Sequence, residues 1–372
     1  MQISLTPRTI TAPVSIFMDT LRVLAAITVF YGHAYAQWFT TIGYDYGAFD
    51  WGHVSVVVFF ALSGYVIAHT TKGNNRGPSL YAQSRLSRLS SVVIPTLIVT
   101  ALIEISIKLL NPDFAMHYTR GLTLPRYLMS GLYLNEVWFF SASPPINGPL
   151  WSLSFEFWYY VIFGCFFYRT KNWISIALIF ITCLIAGPKI LAMMPIWILG
   201  NLAYRIHNPM KNQAGTWIIV FASFLIAMVI APILPSYPYN LGSAPLFFAG
   251  KFITDFIVGI FVAIALWALP GGYGLPRSAD KGNKAMVVLR KFADLTFPLY
   301  VLHDPLLILF RSIWATKLYD GLQMAVGMLV VFFACMILGH LMEEKRDRWA
   351  TLFKNVFSLG GKLFVTGITK KD

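Results

Sequence analysis

MDTLRVLAAITVFYGHAYAQW, residues 18–38, is an apolar stretch long enough to cross a membrane, and it contains Arg22 and His33. A charged or titratable side chain at bilayer depth is costly and usually marks a functional site. Eleven residues of α-helix rise about 16 Å and complete three turns plus about 20°. The two side chains are therefore predicted to lie on one face of one membrane helix, at two depths.

Both residues also have structural explanations. Arg22 can extend its charged head to the lipid headgroups, or it can pair with Asp19, which lies one turn earlier. His33 can pair with a polar group on a neighbouring helix. From this stretch alone, the functional and structural explanations both remain open.

The rest of the chain has the same apolar character. Of its 372 residues, 57% are hydrophobic and only 12% are charged, which excludes an ordinary water-soluble domain. The predicted fold class is all-α, a polytopic membrane protein with a bundle of about ten transmembrane helices. A short apolar run at 127–140 predicts an interfacial or re-entrant piece. The predicted spans are 18–38, 52–70, 91–110, 151–168, 173–188, 191–204, 216–234, 248–269, 293–312 and 321–341.

The distribution of basic residues predicts the orientation. With ten spans and both termini inside, 21 of the 29 Lys and Arg residues fall in inner segments, 4 in outer segments and 4 in spans. This asymmetry follows the positive-inside rule, so both termini are predicted to be cytoplasmic. The net charge of +13 then requires no nucleic-acid partner.

We expect a single integral membrane domain over 1–372, with a cytoplasmic N-terminal segment at 1–17 and a basic cytoplasmic tail at 342–372. The tail is predicted to contact anionic membrane lipids. We expect no cleavable signal peptide and no appended soluble domain. The three cysteines fall in predicted spans without metal-type spacing, which favours neither a disulfide nor a metal site.

YAQSRLSRLSSVVIP, residues 81–95, places two arginines at the inner mouth of the third span. Arg85 and Arg88 are three residues apart and so share a helix face. They are either ordinary anchors of the positive-inside type or a paired clamp for phosphate, since guanidinium groups bind phosphate oxygens in a bidentate manner.

GPLWSLSFEFWYYVIFG, residues 148–164, carries a single acid, Glu156, inside an aromatic span. An unpaired carboxylate at that depth is strongly disfavoured, so Glu156 is predicted to have a partner. His33 and a membrane arginine are the natural candidates.

FADLTFPLYVLHDPLLILF, residues 292–310, holds His303, Asp304 and Pro305 in the middle of a span. Proline frees the backbone carbonyl one turn earlier, and that carbonyl needs another donor. A polar break at mid-span commonly lines a cavity, so this segment predicts one.

These segments together resemble the acyltransferase 3 family of integral membrane acyltransferases. The matches come in family order and reach from the first to the ninth predicted span, over about 290 residues. The matching elements are Arg22 and His33 preceded by Asp19; Phe59, Phe60, Leu62, Ser63, Gly64 and Tyr65; Arg85 and Arg88; Trp151, Ser152, Leu153, Ser154 and Glu156; and Tyr300, Val301, Leu302, His303 and Pro305.

The resemblance implies an enzyme that moves an acyl group, usually acetyl, from acyl-coenzyme A to a hydroxyl group. The implied acceptor is a carbohydrate or lipid-linked glycan, and the implied location is the plasma (inner) membrane. The expected partners are acyl-coenzyme A, this acceptor and membrane lipids, with no metal.

The resemblance and the residue chemistry together assign roles. His33 is expected to act as general base or as an acylated relay, with its ring oriented by Glu156 or Asp304. The expected donor-binding residues are Arg22, Arg85 and Arg88, and the expected substrate-binding residues are Trp151, His303 and Tyr65.

Two other function classes remain open at this point. A proton- or solute-coupled transporter also uses intramembrane His, Glu, Asp and Arg, although it predicts internal symmetry. A lipid- or peptide-binding membrane module would carry no chemistry. Release of free thiol from acetyl-coenzyme A distinguishes the enzyme from both.

Overall fold

The computed structural model describes residues 10–40, 50–73, 77–210, 212–271, 284–314 and 317–368. Every regular element in these ranges is a helix, as the composition predicts. Two short 3₁₀ turns lie at Gly148–Leu150 and Phe247–Ala249. The α-helices are α1 (Ala12–Phe39), α2 (Trp51–Gly73), α3 (Pro78–Leu110), α4 (Pro112–Met116), α5 (Thr123–Gly131), α6 (Trp151–Phe167), α7 (Trp173–Arg205), α8 (Gln213–Ile233), α9 (Phe252–Ala268), α10 (Lys284–Ile313), α11 (Gly321–Glu343) and α12 (Arg346–Ile368).

The helix α7 consists of two arms that meet at Gly187, where the backbone has a φ of 78°. Near its start, the Ser175 hydroxyl accepts from the Thr170 backbone N–H, just beyond the end of α6. At its other end, the Arg205 guanidinium lies 5.4 Å from the Phe167 ring centroid. A straight helix would separate residues 175 and 205 by about 45 Å, so the two arms fold back as a helical hairpin.

This hairpin accounts for the predicted number of spans. Eight helices in the described ranges are long and apolar enough to cross a membrane, and α9 is a shorter apolar helix. Because α7 supplies two arms, 173–186 and 188–205, these ranges hold ten apolar helical segments. They correspond one by one to the ten predicted spans, including the pair 173–188 and 191–204.

Burial separates central helices from peripheral ones. The apolar window of α2 is 78% buried and that of α10 is 67% buried, against 22% for α7 and α11. Close packing holds α2 against the second arm of α7, because a Cβ on Gly64 would lie 2.0 Å from the Trp197 carbonyl oxygen. A Cβ on Gly200 would likewise overlap the carbonyl of Ala61. The small residues of the second predicted span therefore serve a helix interface.

Several predicted boundaries differ from the structure, among them the start of α10, which lies at Lys284 instead of residue 293. The helix α1 begins at Ala12, inside the predicted segment 1–17, with a proline in its first turn. The helix α3 begins at Pro78 instead of residue 91. Its first turns are polar, so the apolar run marks only the later part of the helix. The tail 342–372 contains α12, which packs against α3.

The apolar run 127–140 is helical only as far as Gly131 and then continues as turns. Glu136 in this connection is fully buried and forms an ion pair with the Lys189 ammonium at the start of the second arm of α7. Burial raises the pKa of Glu136 to about 7, and the ammonium group opposes that shift. The pair fixes this connection against the turn of the α7 hairpin.

Candidate active site

An arginine cavity lies between α1, α2, α3, α6 and α10. Arg22, Arg85 and Arg88 all line it, so the two predicted basic elements come together there. Arg22 lies 3.5 Å from Asp19, and Arg85 donates to the Thr70 hydroxyl at 3.2 Å. The cavity holds about 110 Å³, which is enough for a thin chain but not for a nucleotide.

Glu156 also lines the arginine cavity. Its carboxylate accepts from the Ser63 hydroxyl at 2.9 Å and from the Tyr160 hydroxyl. The Trp197 indole N–H donates to the Ser63 oxygen at 3.3 Å. The predicted need for a partner is thus met by hydroxyl groups from α2 and α6.

A wide basin adjoins the arginine cavity through Arg85, whose side chain lines both spaces. The basin holds about 790 Å³ and lies between α2, α3 and α12. Arg346 of α12 contributes a second cation to its wall. The Gln83 amide donates to the Ala350 carbonyl at 2.8 Å, which joins α12 to α3 beside the basin.

A histidine cavity lies on the other side of Val56 and Tyr300, two residues that line both this cavity and the arginine cavity. It holds about 60 Å³. The Tyr300 hydroxyl is fixed by the Ser152 hydroxyl at 2.7 Å and by the Pro149 carbonyl at 3.2 Å. The polar and aromatic side chains that line the histidine cavity are His33, Asp50, His53, Arg120, Trp151, Phe248 and Tyr300.

His33 and Asp304 come together at this cavity. The His33 Nδ1 atom lies 3.4 Å from Asp304 Oδ1, and the Gly148 backbone N–H donates to Asp304 Oδ2 at 3.1 Å. The Asp304 side chain is 2% exposed, whereas that of His33 is 21% exposed. Asp304 therefore occupies the orienting position beside the imidazole, and Glu156 lines the arginine cavity instead.

His303 lies behind His33. The two ring centroids are 4.9 Å apart with the planes nearly perpendicular. His303 is fully buried, and its Nδ1 donates to the Leu299 carbonyl at 3.0 Å. The His303 ring thus packs against the His33 imidazole and lines neither the arginine cavity nor the histidine cavity, so it is not placed as the predicted substrate-binding residue.

The predicted polar break at Pro305 has its compensating donor. The Asn147 side-chain amide donates to the Val301 carbonyl, four residues before the proline, at 3.0 Å. The same amide reaches the Thr100 hydroxyl at 3.0 Å. The connection before α6 is thereby held against α10, next to Gly148 and Asp304.

The remaining predicted residues have different surroundings. Trp151 lines the histidine cavity, and its ring is stacked with those of Phe248 at 4.7 Å and His53 at 5.7 Å. Tyr65 is 1% exposed and packs edge-on against Tyr204, away from both cavities.

The sequence reasoning missed one pair. His53 Nε2 lies 2.7 Å from Asp255 Oδ2, and both side chains are 2% exposed. In the sequence, His53 lies near a span end, where an interfacial position explains a histidine, and Lys251 lies four residues before Asp255, which favours a local pair. Lys251 does lie 3.8 Å from Asp255, so the carboxylate joins both groups. The sequence carries one signal for a role of His53, because His33 and His53 lie on either side of the connection between the first two spans.

Comparison with known proteins identifies the family of the chain. A family model described as an acyltransferase domain matches residues 15–341, which is most of the chain. An O-acetyl transferase of Shigella phage Sf6 is 26% identical over 226 residues, covering 57% of this chain and 67% of that protein. No solved structure matches the chain. With ten apolar helical segments in the described part of the chain and a family match over residues 15–341, the chain belongs to the acyltransferase 3 family of membrane acyltransferases.

Proposed function

We propose that the protein is an acyl-coenzyme A-dependent O-acyltransferase that moves an acetyl group to a hydroxyl of a carbohydrate or glycan-lipid acceptor. The acceptor oxygen forms a bond to the thioester carbonyl carbon, and the carbon–sulfur bond breaks. The hydroxyl proton passes to His33, and the coenzyme A thiolate leaves and takes up a proton. The single observation that carries this proposal is that the arginine and histidine cavities share Val56 and Tyr300 as a common wall.

The positive-inside distribution supports an orientation in which the basin and the arginine cavity face the cytoplasm. Both termini are then cytoplasmic, and the histidine cavity lies toward the opposite side of a plasma (inner) membrane. Coenzyme A is a cytosolic polyanion, so it meets the cationic side of the protein first.

Different parts of the donor occupy the basin and the arginine cavity. At about 790 Å³ the basin has room for the nucleotide, whereas the arginine cavity admits only the thinner pantetheine arm. Arg85 borders both spaces, and with Arg88 it offers guanidinium groups to the phosphates. Arg22 lies about 16 Å from His33 along α1, so the pantetheine arm has to span that distance to bring the thioester to His33.

The base is His33. A carboxylate only accepts hydrogen bonds, so a proton on Nδ1 toward Asp304 leaves the lone pair of Nε2 for the acceptor hydroxyl. Asp304 also stabilises the imidazolium that forms when the proton is transferred. General-base action of this kind contributes about 10²–10⁴-fold to a rate.

We assign direct transfer from thioester to acceptor in preference to an acyl-imidazole on His33. The two cavities are adjacent, with Val56 and Tyr300 lining both, and this short separation favours reactants that meet at the boundary without a relay. Single-turnover mixing with labelled acetyl-coenzyme A, without acceptor, tests this choice. Label that remains on the denatured wild-type protein and is absent from His33→Ala would establish the relay.

Thiol release from acetyl-coenzyme A by the purified protein, with and without a panel of methyl glycosides, tests the function as a whole. We expect acceptor-dependent thiol release together with an O-acetylated glycoside in the mass spectrum. A transporter or a binding module would release no thiol under either condition.

A further inference from the structure

A second imidazole–carboxylate pair faces the histidine cavity. His53, near the start of α2, lines this cavity together with His33 of α1. Its partner Asp255 lies in the first turn of α9, so a third helix fixes the ring. The stacked ring of Trp151 holds it from the side. The His53 ring is therefore as firmly positioned as that of His33, although nothing in the transfer step above uses it.

The contact of His53 with Asp255 determines which ring nitrogen remains for a ligand. Nε2 carries the proton, because its partner is a carboxylate oxygen at 2.7 Å that can only accept. In the neutral ring, Nδ1 then has the lone pair. Since Nε2 is occupied by Asp255, Nδ1 is the nitrogen left for a ligand.

Lys251 supports this arrangement. Its ammonium lies 3.8 Å from the second Asp255 oxygen, so the carboxylate has a cation on one side and the imidazole N–H on the other. A carboxylate held from both sides keeps the ring in one orientation, as in other acid–imidazole pairs.

We propose that His53 is a specificity-determining residue that accepts a hydrogen bond from a second hydroxyl of the acceptor, while His33 takes the proton of the hydroxyl that reacts. This inference rests on the proposed function. Two lone pairs on the wall of one cavity match two neighbouring hydroxyls of a polyol, and at about 60 Å³ the cavity admits those hydroxyls but not a whole sugar ring. The two lone pairs disfavour an alcohol with one hydroxyl, since a buried acceptor would then be left unpaired.

Two variants of His53 separate this role from a structural one. Glutamine places its amide at the depth of Nε2, so His53→Gln keeps a donor for Asp255 and removes the acceptor at the Nδ1 position. Asparagine places its amide at the depth of Nδ1, so His53→Asn keeps an acceptor for the cavity and gives up Asp255. His207→Gln, in the connection after α7, is the matched control because its side chain is exposed.

The experiment is steady-state kinetics with acetyl-coenzyme A and the methyl glycoside that wild-type protein acetylates best. We expect His53→Gln to raise the KM for the glycoside about tenfold or more and to leave the KM for acetyl-coenzyme A unchanged. His53→Asn is expected to raise the glycoside KM less. Mass spectrometric mapping is expected to show the acetyl group spread over more than one hydroxyl in His53→Gln.

A wild-type glycoside KM and a single acetylated position in His53→Gln would overturn the inference and leave the proposed function standing. Wild-type protein that acetylates no glycoside and releases no thiol would overturn the proposed function, and the inference with it. Equal acetylation of a simple alcohol and a glycoside by wild type would also overturn the two-hydroxyl assignment.

Discussion

The arginine cavity and the histidine cavity lie side by side but are lined by different kinds of charge. The first has three guanidinium groups, which stay protonated under all physiological conditions and can only bind. The second has imidazoles held by buried carboxylates, and imidazole is the side chain that exchanges protons near neutral pH. The difference fits the proposed division of roles, with donor binding in one space and proton transfer in the other, on either side of Val56 and Tyr300.

The largest expected effect comes from removing the base. His33→Ala is expected to lower acetyl transfer by about 10³-fold or more, because the variant loses the group to which the hydroxyl proton passes. Affinity for the donor should be unchanged, since the arginine cavity is intact. Thiol release and equilibrium donor binding measure the two quantities, with His207→Ala as the control.

Retention of wild-type turnover in His33→Ala would remove the histidine cavity from the chemistry. A loss of donor binding in the same variant would instead show that the two cavities are not separate in function.

The next effect comes from the carboxylate behind the base. Asp304→Asn is expected to lower kcat about 100-fold, because an amide no longer fixes the Nδ1 proton of His33 or stabilises its charged form. Glu156→Gln, in the arginine cavity, is expected to act on the donor KM instead. Steady-state kinetics of both variants tests this, and an equal fall of kcat in the two would contradict the division of roles.

A smaller effect is expected from the donor site. Arg85→Ala combined with Arg88→Ala is expected to weaken donor binding by at least about 1 kcal/mol, or about fivefold in Kd, because charged hydrogen bonds contribute about 1.5–3 kcal/mol each. The measurement is titration with a non-hydrolysable acyl-coenzyme A analogue. Lys171→Ala, on an exposed connection, is the matched control, and an unchanged Kd in the double variant would count against the clamp.

The last prediction concerns which side of the membrane two connections face, and its variants are expected to leave activity unchanged. Leu122→Cys, which is 79% exposed at wild type and close in sequence to Arg120 of the histidine cavity, is expected to react with an impermeant maleimide in intact cells. Lys171→Cys, in a connection that the proposed orientation places on the cytoplasmic side, is expected to react only after the cells are lysed. The reverse pattern would exchange the sides assigned to the two cavities.

Much of the fold is readable from the chain because the bilayer imposes a simple rule. Spans need about 20 apolar residues, and the paired run 173–204 was resolved correctly because Gly187 allows the turn between its arms. The start of α3 was placed too late because hydropathy follows the apolar core and not the helix, which here extends beyond it from Pro78.

The candidate site was predicted in part. The grouping of Arg22, Arg85 and Arg88 follows from their shared position at one end of the predicted spans, and all three line one cavity. The choice between Asp304 and Glu156 beside His33 was not accessible, because each sits on a different helix and only packing decides which carboxylate approaches the ring. The same reason hid the contact between His53 and Asp255, which are 202 residues apart.

The sequence by itself determined that the protein is an all-helical membrane bundle and which elements hold its rare intramembrane charges, since both are local properties of the chain. Only the tertiary structure decided that these elements form two cavities with a common wall, and which carboxylate holds each imidazole. The physical reason is that cavity walls and ion pairs arise from side chains on different helices, and their distances depend on how the helices pack.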